Sequence, residues 1–271
     1  MPSENLTILF FGDIVGRLGR QAMSRVVSEW KNKHSADFVF ANGENMAHGK
    51  GVTPITIAEV LAAGVDYITT GDHCFDQGSS VQECYEKDLP ILRPANYAPG
   101  APGKGFAIIP SPKGEVLLIN LIGRSFMSRN YECPFRCADA ILEGFTDKKF
   151  SAIIIDIHAE TTAEKIALRH YLNGRISALV GTHTHVPTAD ESISSKGTGY
   201  ITDLGMNGDA DGVIGVTAAP IIASFLTQTK VPHELAVSGR TQINALKLVI
   251  NSLTGSCISI EPLREIITIT L

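Results

Sequence analysis

The segment ISALVGTHTH, residues 176–185, places an apolar run directly before a glycine and two histidines. The run predicts a buried strand, which the chain leaves through Gly181. His183 and His185 are separated by one threonine, and alternate side chains of an extended segment lie on the same side. We therefore expect both imidazoles to face one object, although a polar loop with incidental histidines explains this segment alone equally well.

Apolar strand candidates alternate with helix candidates along most of the chain. This alternation predicts βαβ units and a mainly parallel sheet. The predicted strands of this kind cover residues 6–13, 37–45, 66–73, 150–160 and 176–185, and the predicted helices cover residues 19–33, 53–64, 76–87, 135–147, 160–173 and 218–228.

Two stretches depart from the alternation. Residues 103–110 and 114–123 predict a hairpin across a short turn, and residues 240–271 alternate like antiparallel strands. We therefore expect one α/β domain over residues 1–271, with mixed sheets packed together and helices outside.

Polar side chains recur where these predicted strands end. In open α/β sheets the carboxyl ends of the strands form the ligand-binding edge. Each residue has an ordinary explanation by itself, as a turn cap, a solvated acid or a buried histidine, but five strand ends with ligand chemistry together indicate a site. The residues are Asp13, Glu44, Asn45, Asp72, His73, His158, His183 and His185.

Imidazoles, carboxylates and an amide form a mixed nitrogen and oxygen donor set. Such a set suits manganese, iron or zinc better than Ca²⁺ or Mg²⁺, which prefer oxygen ligands. The donors outnumber what one tetrahedral ion needs, so the sequence predicts two ions that share a bridging carboxylate.

The composition limits the partners that the protein can have. The 271 residues carry a formal net charge of −5, which gives no basic footprint for long nucleic acids. No apolar run is long enough to span a membrane, and the N-terminus resembles a first strand more than a signal peptide. Five scattered cysteines predict reduced thiols, and we expect a cytoplasmic protein.

Several motifs together resemble, in order and spacing, the YmdB-like family of bacterial calcineurin-like metallophosphoesterases. The match runs from residue 6 to about 216, and the tail SGRTQINALKLVI (238–250) fits as well. The resemblance implies a four-layer αββα sandwich with two mixed sheets, a dinuclear metal centre and hydrolysis of phosphodiesters, 2′,3′-cyclic nucleotides among them. The motifs are FFGDIVGRLGR (10–20), ANGENMAHGKG (41–51), TTGDHCFD (69–76), DIHAETTAEK (156–165), VGTHTHVPT (180–188) and YITDLGMNG (200–208).

The resemblance also implies a role for each candidate residue. Asp13, Asn45 and His185 hold the first metal ion. Asp72, His158 and His183 hold the second, and Glu44 bridges the two. A hydroxide between the ions attacks phosphorus, and His73 protonates the leaving group.

The chain departs from the pattern of these enzymes at two places. The wider superfamily begins with Asp-x-His, but Ile14 and Val15 follow Asp13 here. The amide oxygen of Asn45 then replaces a nitrogen donor, which favours iron or manganese over zinc. Asp72 stands where the family has asparagine, and it adds a negative charge beside the reaction centre.

Some alternatives stay open from the sequence. The extra charge of Asp72 leaves room for a nucleotide-sensing regulatory protein with little turnover. Arg17 and Arg20 either orient phosphate or form surface ion pairs, and Glu160 and Asp203 either support the histidines or are structural. The expected partner is a small phosphodiester or cyclic nucleotide, with no membrane and with self-association as an option, and no substrate-binding residue is identified.

Overall fold

The computed structural model of the chain describes residues 5–270. Its elements, in chain order, are β1 (Asn5–Phe11), β2 (Asp13–Ile14), α1 (Gly16–Lys33), β3 (Phe38–Asn42), α2 (Pro54–Ala62), β4 (Tyr67–Thr69), α3 (Ser79–Glu86), β5 (Phe106–Ser111), β6 (Gly114–Ile122), α4 (Pro134–Glu143), β7 (Ala152–His158), α5 (Thr162–Leu172), β8 (Ala178–Thr182), β9 (Ser192–Ile193), β10 (Gly199–Ile201), β11 (Met206–Asp209), α6 (Ala218–Thr227), β12 (Gly239–Asn251) and β13 (Cys257–Ile269).

The strands form two mixed sheets. The first has the order β2-β11-β12-β1-β3-β4, with β13 paired to β12, and the second has the order β5-β6-β7-β8-β10-β9. Strands β1, β3 and β4 are parallel, as are β6, β7, β8 and β10. The predicted hairpin of β5 and β6 and the antiparallel pair of β12 and β13 are both confirmed.

The N-terminal strand lies inside the first sheet, between a parallel and an antiparallel neighbour. β1 pairs with β12 along its full length, from Asn5 opposite Asn251 to Phe11 opposite Ala245. On its other side it pairs with β3. The first sheet therefore joins residues from the two ends of the chain.

The two sheets pack face to face, and helices cover their outer faces. Along β1, Ile8 and Phe10 belong to the apolar core between the sheets, which Ile154 of the second sheet shares. Phe11 points to the other face, where its ring stacks on Trp30 of α1 with centroids 5.6 Å apart. Because α4 and α5 pack against the second sheet in the same way, the four αββα layers implied by the resemblance are confirmed. One domain over residues 1–271 stays a prediction.

Helix α6 confirms the helix predicted near 218–228, but it packs differently from the others. None of its residues is buried, and the side chains of Phe225 and Leu226 are 81% and 80% exposed. Across residues 5–270, no helix has the length and apolar character that crossing a membrane requires.

The topology brings the strand ends of the two sheets together. Glu44 follows β3 of the first sheet and His158 ends β7 of the second. Their side chains meet, with Glu44 Oε1 2.9 Å from His158 Nε2. The carboxyl edges of both sheets therefore face a common site.

Candidate metal centre

Four side chains form a compact group at this edge. Glu44, Asp72, His158 and His183 each offer one ligand atom, and these atoms lie within 4.8 Å of one another. His158 Nε2 is 3.4 Å from Asp72 Oδ1 and 2.9 Å from His183 Nδ1. The group contains the three residues expected for the second metal ion together with the expected bridge.

The residues expected for the first ion lie next to this group. Asp13 Oδ1 is 3.9 Å from both His158 Nδ1 and His185 Nε2. Asn45 Nδ2 is 3.1 Å from His185 Nε2 and 3.4 Å from Glu44 Oε1. The side-chain amide of Asn45 must flip by 180° before its oxygen, instead of its nitrogen, faces a cation at this position.

The chemistry of these donors fits a metal ion. Asp13 Oδ1 and Asp72 Oδ1 are buried and have no hydrogen-bond partner within residues 5–270. A buried carboxylate oxygen without a donor is costly, so such atoms usually have a partner of positive charge. Cations at these two oxygens would satisfy both.

In His158, His183 and His185, one ring nitrogen contacts an oxygen atom outside the candidate ligand set. The other ring nitrogen faces the candidate carboxylate ligands. His185 Nδ1 donates to the carbonyl of Ile214 at 2.8 Å, and His183 Nε2 lies 3.1 Å from Glu160 Oε2. This arrangement fixes the tautomer of a ligating histidine and frees the second nitrogen for a metal ion.

The third histidine depends on a buried chain of hydrogen bonds. His158 Nδ1 lies 2.9 Å from the hydroxyl of Thr182, which donates its own hydrogen to Asp156 Oδ1 at 2.8 Å. Since that hydroxyl hydrogen is already used, Nδ1 must donate, and Nε2 is the ring nitrogen that could bind a metal ion. Thr69 and Asn42 also donate to Asp156.

Glycine comes directly before Asp13, Glu44 and Asp72, and before two of these carboxylates the neighbours approach too closely for a side chain. A Cβ on Gly71 would lie 2.1 Å from His158 Cδ2 and 2.3 Å from Glu44 Oε2. A Cβ on Gly12 would lie 1.9 Å from the carbonyl oxygen of Gly205. The glycines that precede Asp72 and Asp13 are thus required by packing.

The expectation of an extended segment at 183–185 is wrong. β8 ends at Thr182, and His183 and His185 have φ angles of +105° and +66°. Such angles are strained for residues other than glycine, so neighbours must hold them. Asp13 Oδ2 accepts from the His183 amide at 3.2 Å, and Asp203 Oδ2 accepts from the Thr184 amide at 3.1 Å.

This strained turn directs the two imidazoles to different neighbours. His183 faces His158, whereas His185 faces Asp13 and Asn45. The two histidines therefore have different neighbours because of the turn and not because of an extended strand. Their assignment to different ions stays a prediction.

The structure gives contacts for three of the four residues whose roles the sequence left open, and the role of Arg17 stays open. Glu160 contacts a ring nitrogen of His183, whereas Asp203 supports the backbone of the turn. Asp203 also pairs with the buried Lys165, 2.8 Å away. Arg20 forms an ion pair with Glu59 at 2.5 Å.

Sequence reasoning missed two acidic residues of the site. Asp156 is an acid within the apolar run of β7, two positions before His158, and this unusual position is the signal that could have identified it. Asp76 follows His73 by three residues, and its Oδ2 lies 2.8 Å from His73 Nδ1. That spacing fits one turn, but it is too common to be diagnostic.

Burial and mutual charge shift the pKa values of the site. Burial lowers the pKa of His158, but the carboxylates of Glu44 and Asp72 outweigh it and raise the pKa well above its usual value. Burial raises the pKa of Asp13 to about 7, against the charges of His185 and His158. Burial and the charge of His158 lower the pKa of His183 to about 4. In the metal-free protein, a proton on His158 therefore supplies the positive charge between the carboxylates.

We expect metal binding to release protons. A cation at the site displaces the proton of His158 and requires ionised Asp13, so the affinity for Mn²⁺ should rise by about tenfold or more from pH 6 to pH 8. Calorimetric titration of metal-free protein, in buffers with different enthalpies of ionisation, should show about one or more protons released per chain at pH 7. The remote His34→Gln variant should behave like the wild type. An affinity that is independent of pH would contradict the assignment.

We expect Thr182→Val to weaken Mn²⁺ binding by about 10- to 100-fold, because His158 loses the acceptor that fixes its tautomer. Thr69→Val is a matched control, since Thr69 donates to the same Asp156 but does not hydrogen-bond to His158. Calorimetric titration of both variants measures the difference. Equal losses in the two variants would show that Thr182 acts only through general packing.

Known proteins resemble this chain over nearly its whole length. A family model described as YmdB-like protein matches residues 9–263. The 2′,3′-cyclic-nucleotide 2′-phosphodiesterase of Bacillus subtilis is 41% identical over 259 residues, which cover 94% of this chain and 96% of that protein.

Two crystal structures share both the fold and the sequence pattern. A hypothetical protein from Thermus thermophilus has a TM-score of 0.89 at 37% identity, covering 98% of this chain and 100% of that one. A novel phosphatase from Mycoplasma pneumoniae has a TM-score of 0.90 at 31% identity, covering 98% and 94%. Together with the extent of the family match, these similarities show that the chain belongs to the YmdB-like family.

Proposed function

We propose that this protein is a metal-dependent phosphodiesterase that holds two metal ions and hydrolyses small phosphodiesters such as 2′,3′-cyclic nucleotides. The observation that carries the proposal is the convergence of the ligand atoms of Glu44, Asp72, His158 and His183, which lie within 4.8 Å of one another at a partly buried point. The identity of 41% to the Bacillus subtilis 2′,3′-cyclic-nucleotide 2′-phosphodiesterase supports the substrate class.

The donor set divides into two groups that share one carboxylate. Asp13, Asn45 and His185 would hold one ion, and Asp72, His158 and His183 would hold the other. Glu44 would bridge them, because its Oε1 lies near both His158 and Asn45. Iron or manganese suits this set best, with zinc as an alternative. When bound, such ions neutralise phosphate charge and activate water at neutral pH.

The protein itself supplies the proton for the leaving group. His73 Nδ1 is held by Asp76, so Nε2 is the atom that can give a proton to the departing oxygen. The His73 amide lies 3.3 Å from Glu44 Oε2 and donates to it, which ties the position of this histidine to the proposed bridge. The side chain of His73 is 26% exposed, so a substrate can reach it.

We expect His73→Ala to slow hydrolysis of 2′,3′-cyclic AMP by about 10²-fold or more, because the ribose oxygen is a poor leaving group that needs a proton. Hydrolysis of a nitrophenyl phosphodiester, whose leaving group departs without protonation, should slow much less. Steady-state kinetics with Mn²⁺ on both substrates measure the two losses, and Asp88→Asn, at an exposed acid, serves as a control. Equal losses on the two substrates would contradict proton donation by His73.

The same kinetics separate the enzyme from the alternative of a nucleotide sensor. Mn²⁺-dependent product from the wild-type protein supports the phosphodiesterase. Tight nucleotide binding without product from either substrate would contradict the proposed function and favour the sensor.

Asp72 adds a third carboxylate to those of Asp13 and Glu44. Burial raises its pKa, but the neighbouring His158, whose Nε2 lies 3.4 Å from Asp72 Oδ1, outweighs burial and lowers the pKa below its usual value, so the group is ionised. A carboxylate holds a cation more firmly than an amide does, and it also repels a phosphodiester anion. These two effects act in opposite directions on activity.

We expect Asp72→Asn to raise kcat by roughly 3- to 10-fold at saturating Mn²⁺, since occupancy then no longer limits the rate and one repulsive charge is gone. The variant should also need more Mn²⁺ for half-maximal activity. Ser128→Ala is the matched control, because it removes the hydroxyl 3.4 Å from Asp72 Oδ2 without changing the charge. A slower Asp72→Asn protein at every Mn²⁺ concentration would show that the carboxylate is the ligand this site needs.

Three further expectations stay predictions: one domain over residues 1–271, a cytoplasmic location and self-association. The exposed apolar side chains of α6, Phe225 and Leu226 above all, are the surface feature that supports self-association.

A further inference from the structure

A loop between β6 and α4 lies beside the metal centre. It comprises residues 123–132, and we call it the arginine loop because it contains Arg124 and Arg129. The amide of Gly123 donates to the carbonyl of His158 at 2.9 Å, and the hydroxyl of Ser128 lies 3.4 Å from Asp72 Oδ2. The loop therefore contacts two of the residues that would hold metal.

The backbone of the arginine loop is held at both ends. Asn96, which is 1% exposed, donates to the carbonyls of Ile122 and Glu132 and accepts from the Ile122 amide. Glu164 Oε2 accepts from the amides of Arg124 and Ser125 at 2.9 and 3.1 Å. A loop fixed in this way is preorganised, and it loses little freedom when a ligand binds.

The arginine loop lines a cleft of about 500 Å³ that is open to solvent. Arg124 and Arg129 both line this cleft, and neither guanidinium has an ion-pair partner within the described part of the chain, residues 5–270. The carboxylate in the lining, Glu164, is already used by two backbone amides. Two unpaired guanidiniums in one cleft are suited to a phosphate, which arginine binds through paired hydrogen bonds.

The position of the two arginines indicates which group of the substrate would carry this phosphate. Arg124 follows Gly123, which contacts the backbone of His158, and Arg129 follows Ser128, which contacts the side chain of Asp72. A phosphodiester under attack is held by the metal centre itself, so an anion in the neighbouring cleft is a different group of the same substrate. In a nucleoside with a 2′,3′-cyclic phosphate, the position left for a second phosphate is the 5′-oxygen.

We propose that the cleft of the arginine loop binds a second phosphate, so that the preferred substrate carries a 5′-phosphate in addition to its 2′,3′-cyclic phosphate. This inference rests on the proposed function and narrows its substrate class. The same chemistry is offered by a 5′-phosphorylated mononucleotide and by a short oligonucleotide with a terminal cyclic phosphate.

The test compares adenosine 2′,3′-cyclic phosphate with its 5′-phosphorylated form, using the Mn²⁺-loaded protein. We expect kcat/KM to favour the 5′-phosphorylated substrate by about tenfold or more, because hydrogen bonds between charged groups are strong. In the Arg124→Ala/Arg129→Ala double variant the ratio should fall to about 1. Arg25→Ala, which removes a remote arginine that donates to the carbonyl of Thr268, should keep the wild-type ratio.

A binding measurement tests the cleft independently of turnover. Calorimetry should show that adenosine 3′,5′-bisphosphate binds about tenfold more tightly than adenosine 3′-monophosphate, and the double variant should lose this difference. A third substrate, diadenylate with a terminal 2′,3′-cyclic phosphate, identifies the source of the phosphate. Preference for it over the 5′-phosphorylated mononucleotide would support the second-phosphate site and assign it to an oligonucleotide backbone.

The outcomes separate failure of this inference from failure of the proposed function. No hydrolysis of any substrate would overturn the proposed function, whereas the calorimetry would still test the cleft. Equal kcat/KM for all substrates, or a preference that survives in the double variant, would overturn the second-phosphate site. Equal losses on all substrates in the double variant would also overturn it, since the arginines would then act on the reacting phosphate.

Discussion

The contact between Glu44 and His158 joins the two halves of the molecule. Glu44 follows a strand of one sheet and His158 ends a strand of the other; both are almost completely buried, and their polar atoms lie 2.9 Å apart. A buried carboxylate and imidazole in contact are stable only if their charges are balanced by a proton or a cation. The site therefore depends on sheet packing for its geometry, and the carboxyl edge of the sandwich depends on the site for its charge balance.

Much of the fold could be predicted because the sequence has clear local periodicity. The alternation of Leu6, Ile8 and Phe10 with residues facing α1 is a direct expression of the strand period of two. The candidate site could also be predicted from the sequence, because parallel strands place the residues that follow their carboxyl ends at one edge of the sheet. Asp13, Glu44, Asp72 and His158 meet for this reason, although the chain separates them by many residues.

The features that the sequence did not reveal depend on contacts distant in the chain. The positive φ angles of His183 and His185 are held by Asp13 and Asp203, and no local pattern specifies them. The tautomer of His158 depends on Thr182 and on a buried acid, and the order of these hydrogen bonds is visible only once the strands are assembled. The arginine loop could not be predicted because the residues that hold it, Asn96 and Glu164, are distant from it in sequence, one before it and one after it.

The pairing of β1 with β12 has a consequence for how the protein is made. Residues 5–11 are synthesised long before residues 245–251, their antiparallel partner. Until then β1 lacks one neighbour, and contacts so distant in sequence form slowly. Asp13 lies two residues after the end of β1, so its final position depends on the arrival of β12. Until residues 245–251 have joined the sheet, a nascent chain therefore cannot bring the candidate ligands together in their final arrangement.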